Sequence, residues 1–148
     1  MLYYDIDISS LYGLVDYEVS MAADQAYSQD GASLYDSIVL TEKDRPAVNA
    51  YIGDAIRSLS ERLFDICRFV PDTAGDGQIQ FYVPDFDEKF EGAVDEEITR
   101  YIVLSVSARI FQERRVERLQ DYDTRAAASL EKAVKMLKSR KSPVEPWS

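Results

Sequence analysis

The stretch that decides the fold is residues 95–115, DEEITRYIVLSVSARIFQERR. Three acids, Asp95, Glu96 and Glu97, open it, which suits the positive end of a helix dipole. Ile98, Ile102, Ser105 or Val106, Phe111 and then Leu119 recur at helical spacing and mark an apolar stripe. After Asp121, Tyr122 and Asp123 the stripe resumes with Ala126, Leu130, Ala133, Val134 and Leu137. Residues 95–140 therefore read as two helices or as one long kinked helix.

Working back toward the N-terminus, Val48, Ile52, Ala55, Ile56, Leu59, Leu63, Ile66 and Val70 repeat at the same spacing and predict a helix that Pro71 stops. Thr41 reads as its N-cap: the hydroxyl can accept an orphan N–H, Glu42 and Asp44 suit the helix dipole, and Pro46 is tolerated in the first turn. Gly53 inside it costs about 1 kcal/mol relative to Ala, which points to close approach of another backbone. A further helix is predicted from Ser10 to about Tyr27, with Leu11, Leu14, Val15, Val19, Ala22, Ala23 and Ala26 on one face, before Gly31 ends the pattern.

Between the second and third helices, residues 72–77 read as a turn leading into a strand from Gln78 to Val83. A lone strand cannot satisfy its own edge, so its partner is residues 68–71, the N-terminal segment or another subunit. Residues 2–8 read as a short strand or an extended arm. The expectation is a mainly α fold: a bundle of three to four helices with a short strand or hairpin region between the second and third. It forms one domain over 1–148, with an N-terminal arm over 1–8 and a tail over 142–148. Pro143 and Pro146 bar regular helix from that tail, and Trp147 either closes the chain's own core or anchors a partner.

The chain has 148 residues, with 17 Lys plus Arg against 27 Asp plus Glu, a formal net charge of −10 and a pI near 4.5. A chain of this length buries roughly 68–70% of its unfolded surface, so an apolar core needs no disulfide or metal staple. There is no His, which removes Ser-His and Cys-His nucleophile systems, imidazole ligands and the usual proton shuttle near neutral pH. The single Cys67 cannot form an internal bridge, and it reads as a small buried hydrophobe at the end of the second helix. No stretch approaches the roughly 18 apolar residues of a membrane span, and the N-terminus lacks the regions of a signal peptide, so an intracellular protein without membrane contact is expected.

Charge is divided along the chain. Residues 1–42 hold eight acids and no Lys or Arg; residues 71–97 hold nine acids and only Lys89; residues 98–141 hold eleven basic and five acidic side chains. Such blocks can neutralise one another within a monomer, meet across a subunit boundary, or simply be solvated. The overall sign disfavours direct nucleic-acid binding, although a Lys/Arg stripe on the C-terminal helix is the kind of feature that contacts phosphate.

Individual motifs weigh little. Asp5 and Asp7 imitate a phosphatase DxD loop, a chemistry that needs a parallel βα sheet this chain does not encode. Residues 72–83 place Asp72, Asp76 and Gly77 at positions one, five and six of a calcium loop, yet put Val83 where a bidentate Glu is required. Asp85, Asp87 and Glu88 form an acidic loop on which nothing else converges. Six of the ten Tyr lie within residues 1–35, Tyr3 and Tyr4 among them, which suits a wet protein interface as well as a core. Arg109, Arg114, Arg115 and Arg118 with Glu113 and Glu117 form a charged helix face whose like-charge i,i+4 pairs favour opposite neighbours across each row.

The run from Ile98 to Arg115, an apolar helix ending in Phe111 and then Glu113, Arg114 and Arg115, resembles the helix of tailed-phage head-to-tail connector (adaptor, head-completion) proteins. The element order, with Asp54, Ala55 and Ile56 on the preceding helix and a short strand region between, is similar. The chain departs from that pattern in its Tyr-rich N-terminal segment and its basic C-terminal helix. The resemblance implies a non-enzymatic virion protein of a phage or prophage, made in the bacterial cytoplasm, that self-associates into a ring between portal and tail. It implies no catalytic, cofactor or metal site and no small-molecule substrate. Tyr3, Tyr4, Arg109, Arg114, Arg115, Arg118 and Trp147 are its interaction candidates. Two other classes stay open: a cytoplasmic helical interaction or regulatory module, and a metal-assisted hydrolase built on acidic clusters.

Overall fold

The computed structural model describes residues 2–26, 31–72, 76–114, 116 and 121–139. In chain order the elements are β1 (Leu2–Ile6), α1 (Ile8–Asp24), the one-turn α2 (Tyr35–Ile38), α3 (Arg45–Arg62), β2 (Cys67–Pro71), β3 (Gly77–Phe81), α4 (Glu91–Glu113) and α5 (Tyr122–Leu137). The fold is mainly α with a small antiparallel sheet, as expected.

The helix predicted from residues 95–115 is α4, and it is the axis of the molecule. It begins at Glu91, four residues before the acidic signal, because a 3-10 turn at Glu88–Phe90 leads into it and Asp87 caps that turn by accepting the Lys89 N–H. Val94, Ile98, Tyr101, Ile102, Val106, Ile110 and Phe111 are buried on several sides of the helix, because α1, α3 and α5 all pack against it. No residue from Tyr101 to Ala108 is exposed, so the middle of the helix lacks a solvent stripe, as a central core helix should. Residues 95–140 resolve into two helices. Phe111 near the end of α4 meets Tyr122 at the start of α5 edge-on at 4.9 Å, and Leu137 at the far end of α5 lines a depression with Ile66 and Tyr82. Helix α5 therefore runs back along α4.

The sheet has the order β1-β3-β2, antiparallel throughout, with Tyr4 opposite Ile79 and Ile79 opposite Phe69. The central strand thus takes two of the three partners considered for it, the N-terminal segment and residues 67–71, at once. Leu2, Tyr4, Ile6, Ile79 and Phe81 face the core, while Tyr3, Asp5 and Arg68 face outward. Residues 2–6 are accordingly a paired strand, not an arm.

The second predicted helix is overextended in the sequence reading. Helix α3 ends at Arg62, a turn follows in which Cys67 N–H donates to the Leu63 carbonyl at 2.8 Å, and the chain enters β2. Ile66 and Val70 continue the helical spacing, yet Cys67 and Phe69 also alternate toward the core. Pairing with β3 decides between the two. Cys67 is therefore a half-buried strand residue whose thiol donates to the Ser60 carbonyl, with its pKa pushed up by burial and then by Asp65.

Thr41 is an N-cap as expected and closes a capping box with Asp44, but it caps a short turn ahead of α3, not α3 itself. Its hydroxyl and N–H both donate to the Asp44 carboxylate, the N–H at 2.7 Å, within a 3-10 turn over Glu42–Asp44 that precedes α3. Helix α1 starts two residues earlier than predicted because Asp7 caps it, accepting the Ser10 N–H at 3.1 Å and the Ser10 hydroxyl at 2.9 Å. Asp5 instead accepts from Gln78 at 2.8 Å, so the two DxD carboxylates serve separate structural bonds. Asp76 accepts the Ile8 N–H at 2.9 Å, and Gly77 sits opposite Pro71 with φ near 153° and no room for a Cβ beside the Val70 carbonyl. The described residues of the calcium-loop segment thus serve the α1 start and the β2–β3 pairing. Gly53 has no atom within 4 Å of a built Cβ, so no backbone approaches it closely. Residues 140–148, which include the tail and Trp147, lie outside the described residues.

Candidate functional site

Helix α1 carries two apolar registers. Leu11, Val15, Val19, Ala22 and Ala23 face inward and are buried. Leu14, Tyr17 and Met21, spaced i, i+3, i+7, face outward and are 45%, 64% and 45% exposed. Leu14 belongs to this outer register, not to the single buried face assigned from sequence. At 1.5 Å per residue the outer stripe is about 10 Å long. Gly13 and Ser10 extend it toward the N-terminus without adding charge.

The rim of this stripe is acidic. Asp16, Glu18 and Asp24 flank it on α1; these acids, and Asp36 and Glu42 farther along the chain, make no ion pair among the described residues. Glu18 accepts the Tyr122 hydroxyl at 3.0 Å, joining α1 to α5. The field is felt at Tyr12, whose phenol is pushed above its ordinary value by burial first and then by Asp16 and Glu42, while Arg45, 4.6 Å over its ring, opposes them. Among the described residues no ion pair joins the acidic block of residues 1–42 to the basic block of residues 98–141.

A second acidic depression of about 720 Å³ lies between β1 and the first turns of α4, lined by Tyr3, Asp5, Glu88, Glu91 and Asp95 among others. Burial there, and then Asp5 and Glu91, raise the Asp95 carboxyl above its ordinary value. Tyr3 is exposed on its rim, whereas Tyr4 is a core residue whose hydroxyl is 2.7 Å from Thr99 Oγ1. That strand position removes Tyr4 from the interaction candidates.

The arginines of α4 are engaged within the chain. Arg109 lies 3.9 Å over the Tyr51 ring and pairs with Asp54 at 2.9 Å and Glu113 at 3.8 Å. The Tyr51 hydroxyl donates to Glu113 at 2.6 Å, and that bond is the main cause of its raised pKa. Beside this cluster a cleft of about 180 Å³ between α3 and α4 is lined by Ser58, Tyr101 and Ser105. Arg114 donates at 3.0 Å to each of the Ile38 and Val39 carbonyls and pairs with Asp44 at 3.0 Å. The opposite charges expected across Glu113 and Arg114 thus come from this chain's own helices. Arg115, Glu117 and Arg118 lie outside the described residues.

Helix α5 presents a row of exposed cations. Lys132, Lys135 and Lys138 are exposed along its outer side, which also carries the exposed Ala127 and Ala128. Lys135 pairs with Glu131 at 3.5 Å in full solvent, an arrangement worth little.

Elsewhere, Asp87 is held by its cap and by Lys89 at 3.4 Å. Among the described residues no three acidic or thiol side chains gather as a metal site, and no helix is long and apolar enough to cross a membrane. The sequence reading missed Leu14 and Met21 as surface residues. The available signal was the second i, i+3, i+7 register running through Tyr17 beside the buried one. Comparison of the chain with protein-family models, curated proteins and solved structures returned no match.

Proposed function

We propose that the chain is a structural subunit that acts by assembly, a head-to-tail connector of a tailed phage or prophage. It would be made in the bacterial cytoplasm and built into a ring between portal and tail. The observation that carries this reading is the outer face of α1. A helix that is apolar on two sides is normally enclosed on both, and here one side is exposed and flanked by acids that make no ion pair among the described residues. Exposed Tyr3 and Tyr82 add further aromatic contact area. The sequence of α4 supports the same reading through its resemblance to the connector helix.

The test is native mass measurement across protein concentration and salt, alone and with a purified portal ring. The connector reading expects salt-sensitive higher-order species, or stoichiometric capture on the portal. A chain that stays monomeric and ignores the portal contradicts it. A second reading, a regulatory module that uses the Lys132, Lys135 and Lys138 row on a partner protein or nucleic acid, is favoured by that row's exposure. It predicts salt-steep binding to DNA by the monomer.

A further inference from the structure

We infer that the outer stripe of α1 docks on the outer face of α5 of a second copy of this chain, an asymmetric contact that propagates from copy to copy. This rests on the self-assembly reading above and names the two surfaces that would perform it.

The argument is one of complementarity. Leu14, Tyr17 and Met21 project from α1 and need a shallow apolar seat, while Asp16 and Asp24 beside them need cations. Two α1 stripes meeting about a twofold axis would set these acids against their own copies, a repulsive arrangement. The outer side of α5 offers the converse surface. Ala127 and Ala128 are small and exposed, leaving space for bulky side chains, and Lys132, Lys135 and Lys138 follow, outnumbering the exposed Glu131 that pairs with Lys135 at 3.5 Å. Long lysine stems cover apolar surface while their ammonium groups reach carboxylates.

The contact cannot close within one chain. Helices α1 and α5 both pack on α4, and the stripes concerned are on the sides turned away from it. One copy therefore exposes both halves, and joining unlike surfaces yields a ring where the rotation closes and a filament where it does not.

The test uses two full-length variants in sedimentation velocity at low and high salt, with circular dichroism to verify folding. The first carries Lys132→Glu and Lys135→Glu, making both faces acidic; the second carries Asp16→Lys and Asp24→Lys, making both basic. Glu18 is left intact because it accepts the Tyr122 hydroxyl. The inference expects salt-sensitive oligomers of the wild-type chain, loss of them in each folded variant alone, and their return when the two variants are mixed in equal amounts. Misfolding cannot produce that return. Oligomers that persist in both variants refute these surfaces and leave self-assembly standing. Loss in both variants without recovery on mixing refutes the pairing. A wild-type chain that remains monomeric at low salt overturns these surfaces, and the connector reading then rests on capture by the portal ring, whose failure would overturn it as well.

Discussion

Replacing Arg114 by Ala removes three contacts from one guanidinium: the Ile38 and Val39 carbonyls, each at 3.0 Å, and the Asp44 carboxylate, also at 3.0 Å. The side chain is about three-quarters buried, so water replaces it poorly at the C-terminal end of α2. Hydrogen bonds to charged groups contribute about 1.5–3 kcal/mol each, and a partly exposed ion pair up to about 1 kcal/mol. Because one nitrogen serves both carbonyls, these contributions do not add fully, and a loss of about 2–3 kcal/mol is expected. For a chain of this size that lowers Tm by roughly 5–10 °C. Urea unfolding followed by circular dichroism reads the loss as a shift in midpoint at constant slope. Arg114→Lys should recover less than half, because an ammonium cannot reproduce the fork. Acid supplies a further check. The Thr41 N–H, and then Arg114, hold the Asp44 carboxyl below its ordinary range, so its contribution is present above the unfolded pKa and disappears as pH falls through the folded one. The gap between wild type and Arg114→Ala should therefore narrow as the pH drops below about 4. A loss under about 0.5 kcal/mol would refute the reasoning and return Arg114 to the list of side chains free for a partner.

Three other perturbations test the packing and the electrostatics. Gly53→Ala should stabilise α3 by about 0.5–1 kcal/mol, because the space beside it is open and Gly is the poorer helix former; a destabilised variant in urea titration would show that something does approach it. Ser107 is fully buried on α4 with its hydroxyl unpartnered among the described residues, so Ser107→Ala should raise stability by about 1 kcal/mol, and a drop in the urea midpoint would reveal a missed bond. The Asp95 carboxyl has a folded pKa raised by burial, Asp5 and Glu91. Its ionisation therefore destabilises the fold at neutral pH, and that penalty is relieved as pH falls through the folded pKa. Asp95→Asn should raise Tm at pH 7 and lose this advantage in acid; an equal effect at both pH values would assign it to something other than charge.

The strongly periodic parts of the chain were legible from sequence, and the ambiguous ones were ambiguous for physical reasons. The apolar run from Ile98 to Phe111 identified α4, but its acidic signal marked the interior of the first turns because Asp87 had already capped a preceding turn. Ile66 and Val70 fit both a helical and an extended spacing, and only their long-range pairing partner, β3, separates the two. At α1, Leu14 lies one position from Val15 and was merged into the buried face, although a helix turns by about 100° between them. The tyrosine cluster divides accordingly: Tyr4 and Tyr12 are core, Tyr3 and Tyr17 are surface. The arginine face was visible as a pattern, but the distant carboxylates and carbonyls that hold Arg109 and Arg114 were not, since those contacts span 55 or more residues.

The central claim, that the outer stripe of α1 is an interface, is tested most directly by hydroxyl-radical footprinting read by mass spectrometry at increasing protein concentration. Phe64, 81% exposed and remote in sequence from α1, serves as the internal reference. The account predicts that labelling of Leu14, Tyr17 and Met21 falls as concentration rises, that high salt restores it, and that Phe64 labels constantly throughout. Labelling of those three side chains that stays at the dilute-solution level at every concentration would contradict it.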